Sequence, residues 1–462
     1  MRIFTRDCWH AYISVCAIHV ADAISHDVTF IYIPKIKSME TILNINQHQT
    51  TLRRRNFMKT VMLAAVAGSF MLGCGADNGS SWSATWNASV QNYNDAFAGT
   101  TPAPITFQDS TVRQLMYVSG SGDRLRIHFS NMLGTAPLTI DGARIAVSSG
   151  AAAINVATDT LVNFGGKPSV TLAAGTEILS DVVELAVTAN SPLALSIYVK
   201  NATPITTVHT LGRQNNYIAA GNMLSAAVLP TTQAVQFYAW STGIDVQRND
   251  KTKVVVTFGD SITDGYASSV DANNRYPNYL SRRLAADATV GPVSVVNAGI
   301  SGNRWKNDVV GPKGEGRFAH DVLGVTGITH AVILLGINDI GFSGAFAAGQ
   351  EVSAAQITDA IGVAVAQAKA RNVKVLVGTL TPFKGTIFKG YYSDAGEAKR
   401  QAVNSFIRSN TAIDGVIDFD LAVRNPADPA SMLPSYDSGD HLHPNDLGYA
   451  AMANAAAISQ FQ

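Results

Sequence analysis

Apolar positions follow a period of two over the middle of this chain. From about residue 82 to 245, short β-branched runs are broken by Gly, Pro, Asn and Asp. Within 124–129, Leu125, Ile127 and Phe129 alternate with charged or polar neighbours, which is typical of a strand with one buried face. Similar runs recur at 143–147, 169–172, 193–199 and 234–238. Strands at this spacing, with almost no helical periodicity, predict an all-β, sandwich-like domain over 82–245.

After a polar break at 245–253, the pattern changes to strands that alternate with helices. Strands are predicted at 254–258, 293–297, 331–335, 373–379 and 415–420, and helices near 276–288, 353–371, 394–410 and 446–460. In the second helix, the apolar positions fit a helix packed on a sheet: Ile357, Ile361, Val363, Val365 and Ala368. This alternation predicts an α/β domain over 250–462. Its parallel sheet has helices on both faces, which makes three layers, and its site lies at the C-terminal ends of the strands.

The N-terminal segment 1–74 contains the pattern of a targeting signal. Three arginines and a lysine at 53–59 precede about fourteen apolar or small residues that end at Cys74. This pattern predicts a signal peptide, and the run is shorter than the roughly 20 residues of a membrane span. The arginine pair resembles a twin-arginine export signal, and Met-Leu-Gly-Cys74 resembles a lipoprotein cleavage box. We therefore expect export to the periplasm or beyond, with lipidation of Cys74 and plain cleavage nearby both left open.

The position of this signal inside the chain is unusual. Residues 1–50 also differ in composition from the rest, since they hold two of the three cysteines. We therefore expect the natural start to be Met39 or Met58, with 1–38 an over-extended reading frame.

Composition excludes some classes of function. The 34 Lys and Arg residues balance 34 Asp and Glu residues, so nothing favours nucleic acid as a partner. No cysteine follows Cys74, so we expect neither a disulfide nor a thiolate metal site in the folded body.

The stretch from Val254 to Gly265 carries the strongest chemical signal. A buried strand runs directly into Gly259-Asp260-Ser261, and a hydroxyl at the C-terminal end of such a strand lies where an open α/β sheet keeps its chemistry. We interpret Ser261 as a nucleophile, which requires a base, a group that orients the base, and oxyanion donors. Candidates lie in three later loops, at 297–303, 336–339 and 436–445.

Taken together, these blocks resemble the SGNH (GDSL) hydrolase superfamily. The resemblance rests on Gly259-Asp-Ser261, Gly302, Gly336-x-Asn338-Asp339 and Asp440-x-x-His443-Pro444, in this order over about 190 residues. The surrounding sequence is similar to that of secreted acylhydrolases, arylesterases and polysaccharide acetylesterases of that superfamily. This similarity includes Arg317-Phe318-x-x-Asp321 and the preceding β domain.

The resemblance implies a role for each of these residues. Ser261 attacks an ester carbonyl, His443 is the general base and then the general acid, and Asp440 orients His443. The backbone N–H groups of Ser261 and Gly302 and the side-chain amide of Asn338 form the oxyanion hole. A spacing of three positions from the acid to the base is short, and a turn at Pro444 accommodates it.

Other interpretations of single residues stay open. His441 is the rival of His443 as the base, and the family pattern favours His443. Asn338 could instead cap the segment that follows it, and Asp446 is better placed than Asp440 to cap the last helix.

Metals and other cofactors are not predicted. Asp260, Asp264 and Asp339 lie beside the site, but acids on neighbouring loops without converging histidines make a poor transition-metal site. No G-x-S-x-G, phosphate loop or dinucleotide fingerprint is present. In the β domain, we interpret Trp86 and Trp240, together with Trp82, as core residues rather than a sugar platform, and the lone His128 and His209 as structural.

The sequence therefore predicts an exported serine esterase that acts on short acyl esters, and we expect the substrate to be acetyl groups of a polysaccharide. One alternative is a lipase or arylesterase, for which the loop at 341–349, rich in Gly, Ala and Phe, would supply a larger apolar pocket. Another is a non-catalytic glycan-binding surface protein, against which the intact Ser261, Asn338, Asp440 and His443 argue.

Overall fold

The computed structural model describes residues 81–95, 103–230 and 233–462. These residues belong to one compact unit. The predicted signal peptide, Cys74 and the expected start sites lie outside the described residues. None of the helices in the described part of the chain has both the length and the apolar character needed to cross a bilayer.

The β-rich region expected before the catalytic residues is present. Its strands are β1 Ser81–Asn87, β2 Gln91–Asn92, β3 Thr106–Phe107, β4 Ser110–Val118, β5 Arg124–Ser130, β6 Leu138–Ile140, β7 Gly142–Gly150, β8 Ala153–Ile154, β9 Thr160–Val162, β10 Val170–Leu172, β11 Glu177–Leu179, β12 Ser191–Val199, β13 Thr203–Pro204, β14 Thr207–His209, β15 Asn216–Ala220, β16 Gln233–Val235, β17 Tyr238–Ala239 and β18 Ser241–Arg248. A short 3₁₀ turn, Val156–Thr158, lies between β8 and β9.

The two larger sheets of this region are antiparallel and share a core. One has the order β1-β18-β5-β11, and the other has the order β16-β15-β4-β12-β7-β8, with β9 also paired to β7. Leu125, Ile127 and Phe129 are buried, as their alternation predicts. They lie in one apolar cluster with Ile145 and Leu195 of the other sheet. The buried faces of both sheets therefore stabilise each other.

The following residues form strands and helices in alternation. The strands are β19 Lys253–Gly259, β20 Val293–Gly299, β21 Ile328–Leu334, β22 Lys374–Gly378, β23 Gly415–Ile417, β24 Arg424–Asn425 and β25 Asp428–Met432. The helices are α1 Ser261–Asp264, α2 Tyr276–Ala286, α3 Gly314–Asp321, α4 Ile337–Ala345, α5 Ala354–Lys369, α6 Asp394–Ser409, α7 Phe419–Val423 and α8 Asp446–Ala455, followed by a 3₁₀ turn at Ile458–Phe461.

Strands β19 to β23 form a parallel sheet in the order β20-β19-β21-β22-β23. The residues of β19 from Val254 to Phe258 are almost fully buried, as in a central strand of a parallel sheet. The order reverses at β19, so the crevice beyond its C-terminal end is where such sheets bind ligands. The placement of helices as outer layers on both faces stays a prediction.

The predicted C-terminal ends of one strand and one helix were wrong. The fifth strand ends at Ile417 rather than 420, because the side chain of Asp418 accepts the N–H of Leu421 and caps α7. The last helix ends at Ala455, and the chain continues as the 3₁₀ turn. The prediction that Val363 packs on the sheet was also wrong: its side chain is exposed on α5, whereas Ile357, Ile361, Val365 and Ala368 are buried.

The β-rich region packs directly against the parallel sheet. The N–H of Ala84 on β1 donates to the carbonyl of Thr326, 3.0 Å away. The N–H of Val295 on β20 donates to Oγ of Ser119 at 3.1 Å, and the hydroxyl of Ser294 donates to the carbonyl of Ala84. Buried hydrogen bonds of this kind tie the two regions together next to the strand that carries Gly299.

Candidate active site

Ser261 lies at a tight turn between β19 and α1. The side chain of Asp260 accepts the N–H of Ile262 at 3.0 Å and so caps the helix that Ser261 begins. A Cβ at Gly259 would come within 2.3 Å of the carbonyl oxygen of Leu334, so this approach of strand and turn requires glycine. As the first residue of α1, Ser261 has a backbone N–H without an intrahelical partner.

The predicted acid, base and nucleophile form one hydrogen-bonded chain. Oγ of Ser261 lies 2.8 Å from Nε2 of His443, and Nδ1 of His443 lies 2.6 Å from Oδ2 of Asp440. The other carboxylate oxygen of Asp440 accepts the N–H groups of Leu442 and His443 at 2.9 and 2.8 Å. The three-residue spacing is therefore sufficient, because Asp440 organises the turn that places its own partner.

The carboxyl group of Asp440 is held in its ionised form. Burial raises its pKa, but the hydrogen bond and charge of His443 and the two backbone donors outweigh burial and lower the pKa to about 2. A negative charge at this position favours the tautomer of His443 that carries its proton on Nδ1, which leaves Nε2 free to accept the proton of Ser261.

The rival residues serve other contacts. His441 is half exposed, and its Nδ1 lies 2.5 Å from Oδ2 of Asp437. The expectation that Asp446 caps the last helix was wrong: Asn445 caps α8 by accepting the N–H of Gly448 at 3.0 Å. The carboxylate of Asp446 accepts instead the N–H of Ser269 and the amide of Asn274, both at 2.8 Å, since its position at N1 points it at the neighbouring loop.

The residues that carry the three predicted oxyanion donors, Ser261, Gly302 and Asn338, border one cavity together with His443. Gly302 has a φ of 81°, and a Cβ there would meet Val310 at 2.9 Å, so the position requires glycine. Asn338 lies inside α4, which has Gly336 at its N-cap, so it does not cap that helix. Its amide nitrogen donates to the carbonyl of Asn303 at 3.0 Å, which leaves its second N–H for a ligand.

Tyr391 is a site residue that the sequence did not reveal. Its buried hydroxyl donates to Oδ1 of Asn338 at 2.7 Å and thereby fixes which end of the amide faces the cavity. Tyr391 lies in a loop with no motif of its own, so no signal in the sequence pointed to it.

Arg317 organises the loops on both sides of the nucleophile. Its buried guanidinium donates to the carbonyls of Gly259 and Ala298 at 2.8 and 2.7 Å and to the side chain of Asn303 at 2.9 Å. Asp321 accepts from it at 2.9 Å and neutralises its charge. This contact explains why Arg317 and Asp321 accompany the motif residues.

The three carboxylates beside the site bind backbone groups. Asp339 accepts the N–H groups of Trp305 and Lys306 at 2.8 and 3.1 Å, and Asp264 accepts that of Ser301 at 2.9 Å. Burial raises the pKa of Asp260 to about 7 and that of Asp339 to about 6. Among the described residues, no three His, Cys, Asp or Glu side chains converge as a metal site would need.

The cavity in front of Ser261 has a volume of about 570 Å³ and walls of different chemistry. Its apolar wall is aromatic and consists of Phe342, Phe346, Phe388 and Tyr391 with Leu442. A second wall, which comes from the β-rich region, is mainly polar: Gln91, Asn92, Tyr93, Asp95, Thr210 and Leu211. The loop predicted at 341–349 therefore does border the cavity, but it is helical as far as Ala345.

The aromatic and histidine residues of the β-rich region are only partly as predicted. Trp86 and Trp240 are buried in its apolar core, as the packing interpretation predicts. The same interpretation was wrong for Trp82, which is only partly buried and whose ring lies 4.5 Å from the guanidinium of Arg126. His128 and His209 are not lone residues, because Nε2 of each lies 3.0 Å from a carboxylate, that of Asp245 and that of Asp264 respectively. Neither pair was predictable from the sequence, since the partners are distant along the chain.

Comparisons with known proteins identify the family. Residues 257–451 match the GDSL-like lipase/acylhydrolase family. A search of curated proteins found no match.

Similar solved structures include three esterases or lipases. An aryl esterase from M. smegmatis is 19% identical, with 44% of this chain and 95% of that chain covered and a TM-score of 0.36. An acetylxylan esterase from Geobacillus stearothermophilus is 20% identical, with 44% and 91% covered and a TM-score of 0.34. A GDSL-like lipase from Bacteroides thetaiotaomicron is 21% identical, with 44% and 84% covered and a TM-score of 0.34.

The family match spans every motif block around the hydrogen-bonded chain of Ser261, His443 and Asp440. Residues 257–451 accordingly belong to the GDSL-like lipase/acylhydrolase family within the SGNH hydrolase superfamily, and the protein is a carboxylic ester hydrolase.

Proposed function

We propose that this protein hydrolyses short-chain acyl esters of carbohydrates, acetyl esters above all, through an acyl-enzyme on Ser261. The observation that carries the proposal is the chain of Ser261, His443 and Asp440 opening onto a cavity with one aromatic and one polar wall.

In the first step, Oγ of Ser261 attacks the ester carbonyl and its proton passes to Nε2 of His443. The C–O bond to the alcohol then breaks, and His443 returns the proton to the leaving oxygen. A water molecule, deprotonated by the same nitrogen, attacks the acyl carbon. The bond from that carbon to Oγ of Ser261 then breaks, His443 returns the proton to Oγ, and the acid leaves. Asp440 stabilises the imidazolium that forms twice in this cycle.

The negative charge on the carbonyl oxygen is stabilised by pre-aimed donors. These are the N–H groups of Ser261 and Gly302 and the side-chain amide of Asn338, each at the cavity wall. The loss of one such donor typically costs about 2.7–4 kcal/mol of transition-state stabilisation. Because Asn338 is already held by Tyr391 and the carbonyl of Asn303, little reorganisation is needed when charge develops.

The two walls of the cavity suit an acylated sugar. The apolar face of a sugar ring packs on aromatic side chains, while its hydroxyls require hydrogen-bond partners such as Asn92, Asp95 and Thr210. A cavity of about 570 Å³ holds a ligand much larger than an acetyl group, so the alcohol occupies most of it in this proposal.

A second candidate is hydrolysis of esters with longer or aromatic acyl groups. The observation in its favour is the aromatic cluster of Phe342, Phe346 and Phe388, in which Phe346 lies 5.2 and 5.8 Å from the other two rings. Such a wall would also bind an acyl chain.

We also propose that the protein is exported by the signal at 53–74, with Cys74 as a potential site of a lipid anchor. Export fits a polymeric extracellular substrate. Cell fractionation and N-terminal sequencing of the mature protein test this proposal, and a product found in the cytoplasm with residues 1–38 intact would contradict it.

The substrate is tested by measuring acetate release from acetylated xylan and acetylated pectin, beside hydrolysis of para-nitrophenyl esters of C2 to C12 acids. Ser261→Ala is the control. Acetate release that disappears in Ser261→Ala supports the carbohydrate esterase, whereas hydrolysis restricted to the longer model esters supports the second candidate.

A further inference from the structure

His209 of the β-rich region contacts the helix that carries Ser261. It is the last residue of β14, and its Nε2 lies 3.0 Å from Oδ1 of Asp264, the last residue of α1. Both side chains are buried, with 6% of His209 and 1% of Asp264 exposed. This contact therefore joins the two regions of the molecule three residues after the nucleophile.

Every polar partner of the His209 ring is a hydrogen-bond acceptor. Nδ1 lies 2.9 Å from the carbonyl oxygen of Ser89. Nε2 faces the carboxylate of Asp264 and also the carbonyl oxygen of Leu211 at 3.3 Å. A neutral imidazole has only one N–H, so one of its nitrogens would set a lone pair against an acceptor. When Asp264 is a carboxylate, the surroundings are satisfied only by an imidazolium with a proton on each nitrogen.

Asp264 also binds the oxyanion loop, which is the loop at 297–303 that carries Gly302. While Oδ1 faces His209, Oδ2 accepts the N–H of Ser301 at 2.9 Å. Ser301 directly precedes Gly302, whose N–H is a proposed oxyanion donor. The same loop is close to α1, since a Cβ at Gly299 would lie 2.4 Å from the backbone nitrogen of Asp264.

Other charged and titratable groups face His209 as well. Arg275, from the segment before α2, disfavours a second positive charge, and the phenol ring of Tyr238 on β17 lies 6.1 Å from the imidazole ring. Burial lowers the pKa of His209, but the charge and hydrogen bond of Asp264, with the carbonyl of Ser89, outweigh burial and Arg275 and raise the pKa. The electrostatics therefore agree with the pattern of acceptors.

We propose that His209 is a positioning residue, held as an imidazolium, that fixes Asp264 and through it the oxyanion loop at Ser301 and Gly302. This inference rests on the proposed function of the site. In this role the β-rich region is part of the catalytic machinery, and it also places the next two residues, Thr210 and Leu211, in the cavity wall. Loss of the ring charge leaves the buried Asp264 carboxylate with fewer partners and loosens the loop that must bind the transition state.

Kinetics of His209→Gln test the role in catalysis. Glutamine carries no charge and has both of its N–H donors on one nitrogen, so it cannot replace a ring that donates on two sides. We expect kcat to fall at least tenfold while KM changes less than about twofold, because the oxyanion exists only in the transition state. Asp264→Asn is expected to have a similar effect, and the double variant is expected to lose little more than either single variant, since all three break one contact.

His128→Gln is the matched control. His128 is the other histidine of the β-rich region with a carboxylate partner, Asp245, and we expect its replacement to leave kcat unchanged. Wild-type kcat in a folded His209→Gln variant would overturn the proposal, whereas activity that survives in Ser261→Ala would overturn the proposed function instead.

The protonation state is measurable in the wild-type protein, so the test does not depend on the folding of a variant. In ¹⁵N-histidine-labelled protein at pH 7, long-range ¹H–¹⁵N correlation is expected to show both nitrogens of His209 protonated. An unprotonated ring nitrogen at His209 at this pH would contradict the proposal, whatever the activity measurements give.

Discussion

Single residues of the site differ in how far the sequence reveals them. Ser261, Asp440 and His443 stand in motif blocks, and the structure brings all three into one hydrogen-bonded chain. Tyr391 and His209 act through side chains far away along the sequence and in no motif. Such residues are fixed by tertiary packing, which a single sequence without a template does not show.

Tyr391→Phe tests whether the orientation of Asn338 matters. The variant keeps the buried ring but removes the donor to Oδ1 of Asn338, a hydrogen bond worth roughly 1 kcal/mol. We expect kcat to fall about fivefold to tenfold with little change in KM, as measured on para-nitrophenyl acetate. Tyr392→Phe is the matched control, since its hydroxyl bonds Asp394 at the surface, and equal losses in both variants would contradict this role.

Asp260→Asn tests the protonation state of the buried carboxyl group of Asp260, which directly precedes Ser261. Its folded-state pKa of about 7 lies above the value of 3.8 expected in the unfolded chain. Between these values the folded state keeps a proton that the unfolded state releases, so the stability of the wild type falls as the pH rises from about 4 to 7. The variant lacks this loss and keeps the acceptor for Ile262.

We therefore expect the stability of Asp260→Asn, relative to the wild type, to increase by about 2 kcal/mol between pH 5 and pH 8. Urea unfolding of both proteins at the two pH values measures this difference, in which other titrating groups cancel. A relative stability that is constant or falls with pH would show that Asp260 is ionised throughout.

Elements were predictable where one pattern dominated. The buried strands and the longer helices have strong periods, and their predicted bounds agree with the structure to within a few residues for most of them. The prediction of a loop at 341–349 was wrong as far as Ala345, because the glycines of this segment suggested a loop. In α4, a Cβ at Gly341 would lie 2.3 Å from the Tyr391 ring, and one at Gly344 would lie 2.1 Å from the carbonyl of Gly390. These glycines allow close packing of a helix rather than a turn.

Phe346→Ala tests the contribution of α4 and its C-terminal cap to substrate choice. The phenyl ring lies between Phe342 and Phe388 in the aromatic wall, so its removal enlarges the cavity. If the aromatic wall binds the acyl chain, as in the second candidate, the ratio of kcat/KM for a C8 ester to that for a C2 ester should rise about tenfold, since each buried methylene contributes roughly 0.8 kcal/mol. If the wall binds the sugar, as in the carbohydrate esterase, the ratio should not change. Tyr392→Ala, which removes a neighbouring aromatic ring outside the cavity lining, should leave the ratio unchanged. An unchanged ratio in Phe346→Ala would place the acyl group elsewhere.

At the scale of the whole molecule, the β-rich region and the parallel sheet form one active site. Composition and periodicity separate them near residue 250, but neither pattern reports how the two surfaces meet. The contacts that join them are backbone groups and buried polar side chains, such as Ala84 to Thr326 and Val295 to Ser119. These contacts have no linear signature, and the polar wall of the cavity depends on them.

We expect these two regions to unfold together. Calorimetry of the purified protein should give a single transition, because the hydrogen bonds and apolar contacts between β1 and β20 make each region depend on the other. Two separated transitions, with activity lost only in the second, would show that the β-rich region is dispensable for the site.

Covalent labelling with a fluorophosphonate probe tests the central claim most directly, since only an activated nucleophile reacts. The predicted result is one adduct per molecule, mapped by mass spectrometry of peptides to Ser261, together with loss of both labelling and ester hydrolysis in Ser261→Ala. An adduct on another residue, or hydrolysis that survives in Ser261→Ala, would contradict the assignment of the nucleophile and the mechanism built on it.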